Sequence, residues 1–398
     1  MKKQLLIVSH ALELGGAERS LIGLLDAIDT DEWDVDLFLL RHEGELMDSI
    51  PEHINLLPQM SAYSVLARPM KDTLLEGHVL LTSARLAGKV AAMQYARKHH
   101  YTESVVGLEY SHKFTCPFMP KIQSQKEYDL AISFLTPHYF VEQKVRAKKK
   151  LAWIHTDYTR IQLNDSSETA MWNAYDHIVS ISDAVTDGFL QVFPSLKEKI
   201  VLIENILPEA LIRKQAAEPI RDMPRTGDER ILLSVGRFTY AKNFDNVPWI
   251  CKRILAAGLN VKWYLIGYGG DEQLIRKNIV DAGMEDHVIV LGKKANPYPY
   301  IAACDLYVQP SRYEGNCVTV HEAQMLGKPV VITRYATSAS QLEEGVDGII
   351  VPMDNEGCAA GIAALLRNPE KMQELSETCR KRDYSNGSEV EKLYKLME

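Results

Sequence analysis

The sequence predicts an α/β protein built from two doubly wound, Rossmann-like domains of parallel strands. Short β-branched and aliphatic runs alternate with helical segments along most of the chain, as expected for parallel sheets with crossover helices. The rhythm occurs twice, with an interruption near the middle of the chain. A length of 398 residues also suits two domains of ordinary size.

The predicted strands form two series, one in each half of the chain. The first series is Leu5–Val8, Val35–Leu40, Leu130–Phe134, Leu151–Ile154, Ile178–Ile181 and Ile200–Ile203. The second is Ile231–Val235, Val261–Ile266, Val288–Leu291, Leu306–Val308, Val330–Ile332 and Gly348–Val351. Loops at the carboxyl ends of such parallel strands are expected to form the ligand-binding edge of each sheet.

The domain boundaries follow from the segments without strands. We expect a first domain over 1–206, whose stretch at about 60–127 is helical and overhangs one end of the sheet. The polar, proline-containing stretch 207–228 is predicted to be a linker to a second domain over 229–383. Residues 384–398 are expected to form a helix that packs back on the first domain.

The composition is that of an ordinary globular protein. Hydrophobic residues at 46% and charged residues at 25% exclude collagen-like, disordered and coiled-coil classes. The six cysteines are widely spaced, without a CxxC pair, so we expect reduced thiols rather than disulfides or a zinc ribbon. The first apolar run is too short for a signal peptide, and no segment approaches the ~20 apolar residues of a membrane span, so a cytoplasmic protein is expected.

The net charge of −8 argues against nucleic-acid binding, but the charge is unevenly distributed. Residues 51–150 carry 14 basic and 8 acidic residues and end in a basic cluster. The cluster consists of Lys144, Arg146, Lys148, Lys149 and Lys150. It suits either an ordinary solvated face or peripheral contact with an anionic surface, such as the inner face of the cell membrane.

The strongest local motif joins two carboxylates, Glu314 and Glu322, across a loop and a helix that ends at Gly327. The predicted helix begins near Gly315, Asn316, Cys317 and Val318, whose free N–H groups would suit a diphosphate. Glutamate pairs are common on helices, so the spacing alone also fits an ordinary surface. Eight helical residues rise ~12 Å, too far for the paired carboxyl groups of a glycosidase.

Two cations follow the first strand of the second series. Arg237 and Lys242 lie in the loop after Ile231–Val235, at the sheet edge where α/β proteins bind ligands. A guanidinium and an ammonium suit a diphosphate that gains negative charge as it leaves, although two exposed cations beside a turn are equally ordinary.

Weaker signals stand elsewhere. Gly15 and Gly16 lie at a strand-to-helix turn where a phosphate can approach the backbone closely, and His155 ends a buried strand at the ligand edge beside Asp157. Asp34 and Asp36 have the form of a metal-binding pair, but they begin a strand at the opposite edge and are interpreted as solvated.

In order, these motifs resemble the retaining glycosyltransferases of family 4, which have the GT-B fold. The resemblance implies that two doubly wound domains face a central cleft, with the acceptor on the side of domain 1–206 and the nucleotide-sugar bound by domain 229–383. The resemblance rests on Gly15-Gly16-Ala17-Glu18, His155, Ser234-Val-Gly-Arg237 with Lys242, Gly267-Tyr-Gly-Gly270 and Glu314 to Glu322. The stretches AWIHTDY and EGNCVTVHEAQMLGKPVVIT resemble the bacterial branch that builds capsular polysaccharides and exopolysaccharides.

The resemblance implies roles for particular residues. Arg237 and Lys242 would bind the diphosphate of a nucleotide-sugar, expected to be a UDP-sugar, while Glu322 would bind the ribose and Glu314 the donor sugar. Gly16 would let the first loop approach the diphosphate, and His155 would lie beside the sugar.

The resemblance also implies the reaction and its requirements. A hexose or N-acetylhexosamine would pass, with retention and without a metal or other cofactor, to a saccharide or lipid-linked acceptor. Two alternatives stay open, a catalytically silent accessory subunit and a nucleotide-sugar epimerase on the same fold.

Overall fold

The computed structural model describes residues 2–13, 15–101, 105–135, 137–156, 158–314 and 317–397, without the side chain of Arg160. The chain divides into two compact units. The first contains Met1–Ile206 together with Asn386–Glu398, and the second contains Leu207–Ser385. Each unit is described by itself below.

The first unit is built on a parallel sheet of seven strands. In chain order they are β1 Lys3–Ser9, β2 Trp33–Leu39, β3 Asn55–Leu56, β4 Tyr128–Ser133, β5 Ala147–Ile154, β6 His177–Ser180 and β7 Ile200–Leu202. The order across the sheet is β3-β2-β1-β4-β5-β6-β7. The α-helices of this unit are α1 Gly16–Ala27, α2 Ser61–Ser64, α3 Met70–Leu75, α4 Val79–Lys98, α5 Val106–Thr115, α6 Tyr139–Lys144, α7 Asp165–Asn173, α8 Asp183–Val192 and the C-terminal α17 Val390–Lys395.

The second unit is built on a parallel sheet of six strands. They are β8 Arg230–Val235, β9 Val261–Ile266, β10 Val288–Gly292, β11 Leu306–Gln309, β12 Val330–Thr333 and β13 Ile349–Val351, in the spatial order β10-β9-β8-β11-β12-β13. Its α-helices are α9 Glu209–Ala216, α10 Val247–Ala256, α11 Glu272–Ala282, α12 Tyr298–Ala303, α13 Val318–Met325, α14 Ser338–Gln341, α15 Asn355–Leu366 and α16 Pro369–Lys381.

The observed sheets confirm the predicted fold class of two doubly wound α/β domains. All twelve predicted strands are present, because continuous apolar runs are typical of strands buried on both faces of a parallel sheet. The short edge strand β3 was not predicted, since two residues give no readable pattern. In each sheet the strand order reverses at one point, between β1 and β4 and between β8 and β11.

The segment predicted as a linker is instead packed structure of the second unit. It contains helix α9, and Leu207, Ile212 and Met223 are buried in the core that covers one face of the second sheet. Ile212 is fully buried. Helix α9 packs against α12, and a short helix needs only about one buried apolar residue per turn for such a contact. Because so few apolar residues give almost no helical periodicity in the sequence, the helix was not predicted.

The C-terminal residues from Asn386 belong to the first unit. The ring of Tyr394 stacks on Trp33 with ring centroids 5.9 Å apart, and its hydroxyl oxygen accepts the Asp29 N–H at 2.7 Å. The Lys149 ammonium donates to the Leu396 carbonyl. These contacts hold α17 against the entry of β2 and against β5.

Asp36 differs from its predicted solvated position. Its side chain is buried and accepts hydrogen bonds from Lys126, Tyr128 and Asn55 at 2.8, 2.6 and 2.6 Å. Burial alone would raise the pKa of Asp36, but these three donors hold it below its ordinary value. The residue is a structural anchor between β2, β3 and β4, and strand alternation alone could not show that a lysine and a tyrosine meet it.

Candidate functional site

The candidate site of the second unit lies where its strand order reverses. Strands β8 and β11 are neighbours there. The chain continues from β8 to β9 on one side of this pair and from β11 to β12 on the other. Ligands of doubly wound proteins bind outside the carboxyl ends of the strands at such a point. The two loops concerned are 236–246 and 310–317, which contain Arg237, Lys242 and Glu314.

An ion pair joins these two loops. The Lys242 ammonium lies 2.6 Å from Glu314 Oε1, with side chains 19% and 10% exposed. The Ser311 hydroxyl donates to the same carboxylate oxygen, and the Thr337 hydroxyl donates to the Glu314 carbonyl at 2.8 Å. The Cys317 sulfur lies 3.7 Å from the ammonium. The structure thus brings together three of the predicted residues, Lys242, Glu314 and Cys317.

The environment of Lys242 keeps it charged. Burial alone would lower the pKa of Lys242, but the neighbouring Cys317 and Glu314 raise it above its ordinary value. Burial also raises the pKa of the Cys317 thiol, so this sulfur stays protonated at neutral pH. The site therefore presents a fixed ammonium beside a neutral thiol, which suits binding of an anion rather than thiolate chemistry.

Two residues that were not identified from the sequence, Arg312 and Asn243, hold the loop 236–246, which contains Lys242, in place. Arg312 forms a two-pronged ion pair with Asp245 at 2.7 and 2.9 Å and lies over the ring of Tyr240, 4.1 Å from its centroid. Asn243 adopts a left-handed conformation with φ of 60° and donates to the Pro310 carbonyl at 2.8 Å. These contacts clamp the loop on both sides of Lys242. An asparagine directly after Lys242 was the available signal, because asparagine tolerates that conformation.

Arg237 stands apart from this network. Its side chain is exposed and, in the part of the chain that the structure describes, it forms no ion pair or hydrogen bond. An unpaired guanidinium keeps all its donors for a ligand. The structure therefore does not bring Arg237 into the Lys242–Glu314 pair, although both cations lie on the loop that follows β8.

Glycines allow the two loops beside β8 and β9 to approach each other. A Cβ at Gly267 would lie 1.9 Å from the Gly236 carbonyl oxygen, and one at Gly236 would lie 3.2 Å from Lys242 Cε. The Phe238 N–H donates to the Tyr268 carbonyl at 2.8 Å across the same contact. The glycines of the Gly267-Tyr-Gly-Gly270 stretch thus let its loop pack closely against the loop that contains Lys242.

The start of α13 differs from the prediction of free N–H groups. The Cys317 N–H donates to Gln341 Oε1 at 2.7 Å, so this amide is already satisfied from a helix 24 residues away in sequence. Gly315 and Asn316 lie outside the described residues. Val318 is the first residue of the helix, as the motif predicted to within a few residues.

Glu322 lies on α13 with a buried side chain that is 1% exposed. The hydroxyl of Tyr298, on α12, donates to its Oε1 at 2.9 Å. Tyr298 therefore helps to orient this carboxylate, and no pattern in the sequence predicted the pairing.

In the first unit, the predicted glycines begin α1. Gly15 is the N-cap residue, and a Cβ there would lie 2.0 Å from the Glu18 carboxylate, the end of a flexible side chain that would have to move. A Cβ at Gly16 would meet nothing within 4 Å. Packing within the described residues therefore gives no reason for glycine at position 16, which leaves room for a ligand.

His155 follows β5 directly, and its ring lies 4.6 Å from that of Phe134. Its Nε2 is buried and has no hydrogen-bond partner among the described residues. Burial lowers the pKa of His155 to about 4, so the ring is neutral at physiological pH. A neutral imidazole with a free ring nitrogen can bind a hydroxyl, whereas it cannot act as a charged partner for a phosphate. Asp157 lies outside the described residues.

The basic cluster at residues 144–150 is largely engaged within the chain. Lys144, Lys149 and Lys150 donate to backbone carbonyls, and Lys148 pairs with Asp129 at 2.7 Å. A hydrogen bond to a backbone carbonyl leaves an ammonium group charged, so the cluster stays cationic while its lysine side chains are held by the chain.

Comparisons with known proteins show similarity over the unit that contains this site. Residues 217–382 match the family model described as glycosyl transferases group 1. The lipopolysaccharide core biosynthesis glycosyltransferase LpsE of Rhizobium meliloti is 29% identical over 153 residues, which cover 38% of this chain and 43% of that protein. The N-acetyl-alpha-D-glucosaminyl L-malate synthase of Bacillus anthracis is 26% identical over 281 residues, covering 67% of this chain and 72% of that protein. The chain spans about two fifths of the length of the first curated relatives it matches.

A solved structure extends the similarity of fold to nearly the whole chain. The crystal structure of Anabaena Alr3699/HepE in complex with UDP has a TM-score of 0.60 at 17% identity, covering 99% of both chains. Similarity at this identity concerns the fold, which is that of the GT-B glycosyltransferases. The family match itself covers residues 217–382, the greater part of the second unit.

Proposed function

We propose that this protein transfers a hexose or N-acetylhexosamine from a nucleotide-sugar, with retention, to a saccharide or lipid-linked acceptor in cell-surface polysaccharide synthesis. The observation that carries the proposal is the Lys242–Glu314 pair at the strand-order reversal of the unit that matches group 1 glycosyltransferases. Relatives named for lipopolysaccharide core and amylovoran biosynthesis support the polysaccharide context. The UDP bound in a protein of similar fold supports UDP as the nucleotide.

The charges at the site suit a departing diphosphate. Lys242 is held in place by its clamped loop, and Arg237 offers an unpaired guanidinium among the described residues. Fixed cations aimed at developing negative charge are the main means by which enzymes stabilise such a leaving group. With two cations in this role, the proposed reaction requires no metal.

The proposed step balances without a dedicated protein base. The acceptor hydroxyl oxygen forms a bond to the anomeric carbon on the face from which the diphosphate leaves. The bond between that carbon and the phosphate oxygen breaks, and its electron pair stays on the phosphate. The departing phosphate takes the proton of the acceptor hydroxyl. Glu314 would accept hydroxyl groups of the donor sugar, and Glu322 those of the ribose.

Peripheral contact with an anionic membrane is a second part of the proposal, carried by α4 rather than by residues 144–150. The exposed side of α4 is apolar, with Val79, Leu80, Leu86, Val90 and Met93 each at least 42% exposed. The helix carries Arg85, Lys89, Arg97 and Lys98 and no carboxylate. An exposed apolar face with only positive charge is typical of helices that lie in the surface of an anionic bilayer. Among the described residues, no helix has the length and hydropathy that crossing a bilayer requires.

A panel of UDP-, GDP- and ADP-sugars tests the donor, scored by thermal shift and by release of free nucleoside diphosphate. Stabilisation by one donor class with slow release of the diphosphate is the expected result. Release of a modified nucleotide-sugar without an acceptor would instead identify an epimerase. No response to any donor would identify a silent accessory subunit, against which the intact Lys242–Glu314 pair argues.

A further inference from the structure

The first unit contains a cavity of about 180 Å³ at the carboxyl ends of β4 and β5. Helices α5 and α7 form its other walls. Most of its lining is apolar, from Val105, Leu108, Leu135, Ile161, Leu163 and Met171. A water molecule takes up roughly 30 Å³ in the liquid, so the cavity has room for one small ring but not for a chain of them.

Two glutamates from different helices line this apolar cavity. Glu109 on α5 is 6% exposed and Glu168 on α7 is 9% exposed. Glu168 Oε1 accepts the Tyr139 hydroxyl at 3.0 Å, and Glu109 Oε2 accepts the Asn164 N–H at 3.1 Å. Glu109 Oε1 has no partner at hydrogen-bond distance among the described residues, although the nearby Ser167 hydroxyl partly offsets the rise that burial causes in the pKa of this carboxyl group. A buried acceptor left in this state costs about 1–3 kcal/mol, unless a ligand or water bonds to it.

Two further residues that line the cavity, Trp153 and His155, each have a buried ring nitrogen without a partner among the described residues. The indole of Trp153 is 4% exposed, and its N–H also has no partner in the described parts of the chain. His155 lines the cavity with its unpartnered Nε2. The aromatic rings of Tyr139 and Tyr158 complete the lining. Aromatic faces beside carboxyl, indole and imidazole groups provide both the apolar and the hydrogen-bonding contacts that a sugar ring requires.

We propose that this cavity binds one neutral sugar ring of the acceptor, whose hydroxyl groups bond to Glu109, Glu168 and Trp153. The inference rests on the proposed function and assigns its acceptor side. An acceptor that presents a carboxylate or phosphate at this point is disfavoured, because burial of an anion in this apolar lining costs its hydration and any ionised glutamate would repel it. The acceptor class is therefore a neutral saccharide.

The protonation of the pair favours hydroxyl groups over an ammonium group. Burial, with the nearby charge of Glu109, raises the pKa of Glu168 to about 7. Near neutral pH the two carboxyl groups therefore offer both a proton to donate and oxygens that accept. A sugar hydroxyl also donates and accepts, so it matches this arrangement. Lys113 is the cation near both glutamates, and the histidines of the cavity, His112, His138 and His155, are all neutral.

Ligand-observed NMR saturation transfer on the full chain, without donor, tests the inference. The probes are methyl glycosides of glucose, galactose and N-acetylglucosamine, with L-malate and glucosamine as charged comparisons. At least one neutral glycoside is expected to bind, and L-malate is not. Binding that is strongest for L-malate or glucosamine, or absent for every neutral glycoside, would overturn the proposal.

Near-isosteric variants locate the binding. Glu168→Gln keeps an acceptor for Tyr139, and Glu109→Gln keeps one for Asn164, so both should fold. Each is expected to weaken glycoside binding about tenfold, which corresponds to about 1.4 kcal/mol. Glu127→Gln, at an exposed position of the same unit, is the matched control and should bind as the wild type does. Equal affinity in all variants contradicts the assignment.

Donor-dependent release of nucleoside diphosphate separates this inference from the proposed function. Measured without an acceptor, the cavity variants should retain that release, because neither Glu109 nor Glu168 is assigned to the donor site. Loss of glycoside binding with retained release supports the cavity. Retained release together with unchanged glycoside binding overturns the cavity alone, whereas absence of release in the wild type overturns the proposed function.

Discussion

The Lys242 ammonium lies 2.6 Å from the Glu314 carboxylate, so the cation expected to meet the donor diphosphate is already paired with an anion. Both groups are mostly buried, and both of their loops are tied by further hydrogen bonds. Donor binding would therefore exchange one anionic partner of the lysine for another, or share the ammonium between them. The lysine needs no ordering when the donor arrives, which lowers the entropic cost of binding.

Replacing Lys242 with alanine should reduce transfer by about two decades or more, since removal of one group that stabilises developing charge costs about 10²–10³ in turnover. Steady-state release of nucleoside diphosphate measures the effect. The chain offers a matched control in Lys262, which pairs with Glu229 at 3.5 Å with exposures of 21% and 10%. Lys262 lies at the amino end of β9, so Lys262→Ala should leave turnover close to that of the wild type. Near-normal turnover in Lys242→Ala would exclude the role of this lysine.

Glu314→Gln should act in opposite directions on product binding and on transfer. Without the carboxylate charge, Lys242 is more available to a diphosphate, so UDP should bind about threefold to tenfold more tightly, a gain of about 0.7–1.4 kcal/mol. Transfer should fall, because the carboxylate is proposed to hold the donor sugar. Calorimetry with UDP measures the first effect and turnover the second. Glu229→Gln removes a carboxylate paired with a lysine at similar exposure and should change neither quantity.

Gly16→Ala tests whether a ligand approaches the first turn of α1. A Cβ at Gly16 has open space around it, so the substitution should not affect folding. If the loop approaches the diphosphate as proposed, the added methyl group should lower turnover about tenfold, a cost of about 1.4 kcal/mol. Gly107, on α5, has equally open surroundings, and Gly107→Ala is the control. Equal turnover in the two variants would remove the first loop from the donor site.

Glu168 predicts a pH dependence of stability in the first unit. Its pKa is raised by burial, and further by Glu109, from the ordinary 4.5 to about 7. The folded state therefore binds more protons than the unfolded state between these values, so this group makes the fold less stable as pH rises from about 4.5 through about 7. Above that range the penalty is on the order of 3 kcal/mol.

Glu168→Gln removes this titration but keeps an acceptor for the Tyr139 hydroxyl. Amide hydrogen exchange of peptides from α7 and β5 should be slower in the variant than in the wild type at pH 8, with the difference disappearing at pH 5 after correction for intrinsic exchange. The buried histidines titrate equally in both proteins, so they cancel in the comparison. A difference that is the same at both pH values would contradict the raised pKa.

The apolar face of α4 predicts binding to anionic vesicles. Replacing Leu80, Leu86 and Val90 together with serine should abolish co-sedimentation with vesicles that contain anionic lipid, because burial of these side chains contributes roughly 25 cal/mol per Å². All three are exposed, so the fold should persist. Serine at Leu274 and Val280, exposed on α11 of the second unit, is the control. Failure of the wild-type protein to co-sediment with vesicles that contain anionic lipid would contradict the membrane proposal.

The strands and the site loops could be predicted because their signals are local. Apolar runs such as Val261–Ile266 mark strands buried on both faces, and the carboxyl ends of those strands gather polar loops at one edge. Lys242 and Glu314 were therefore expected at the same edge, where the structure joins them.

The other features depend on residues distant in sequence. The Cys317 N–H donates to Gln341, and the Asp36 carboxylate accepts from Lys126 and Tyr128. No spacing in the sequence predicts these pairings. The cavity in the first unit is formed by helices and by the ends of strands, and its two glutamates belong to no recognisable sequence motif. The burial of these carboxyl groups results from tertiary packing. From the sequence alone, Glu109 and Glu168 would be predicted to be ordinary surface residues.

Hydrogen exchange of the full chain with saturating UDP, GDP or ADP tests the central claim most directly, because it locates the nucleotide without any substitution. We predict slower exchange in peptides that cover residues 236–246 and 311–326 with the preferred nucleotide, and no change at the amino ends of β8 and β9, where Glu229 and Lys262 pair. Protection confined to other parts of the chain, or no protection with any of the three, would contradict a nucleotide-sugar site at Lys242 and Glu314.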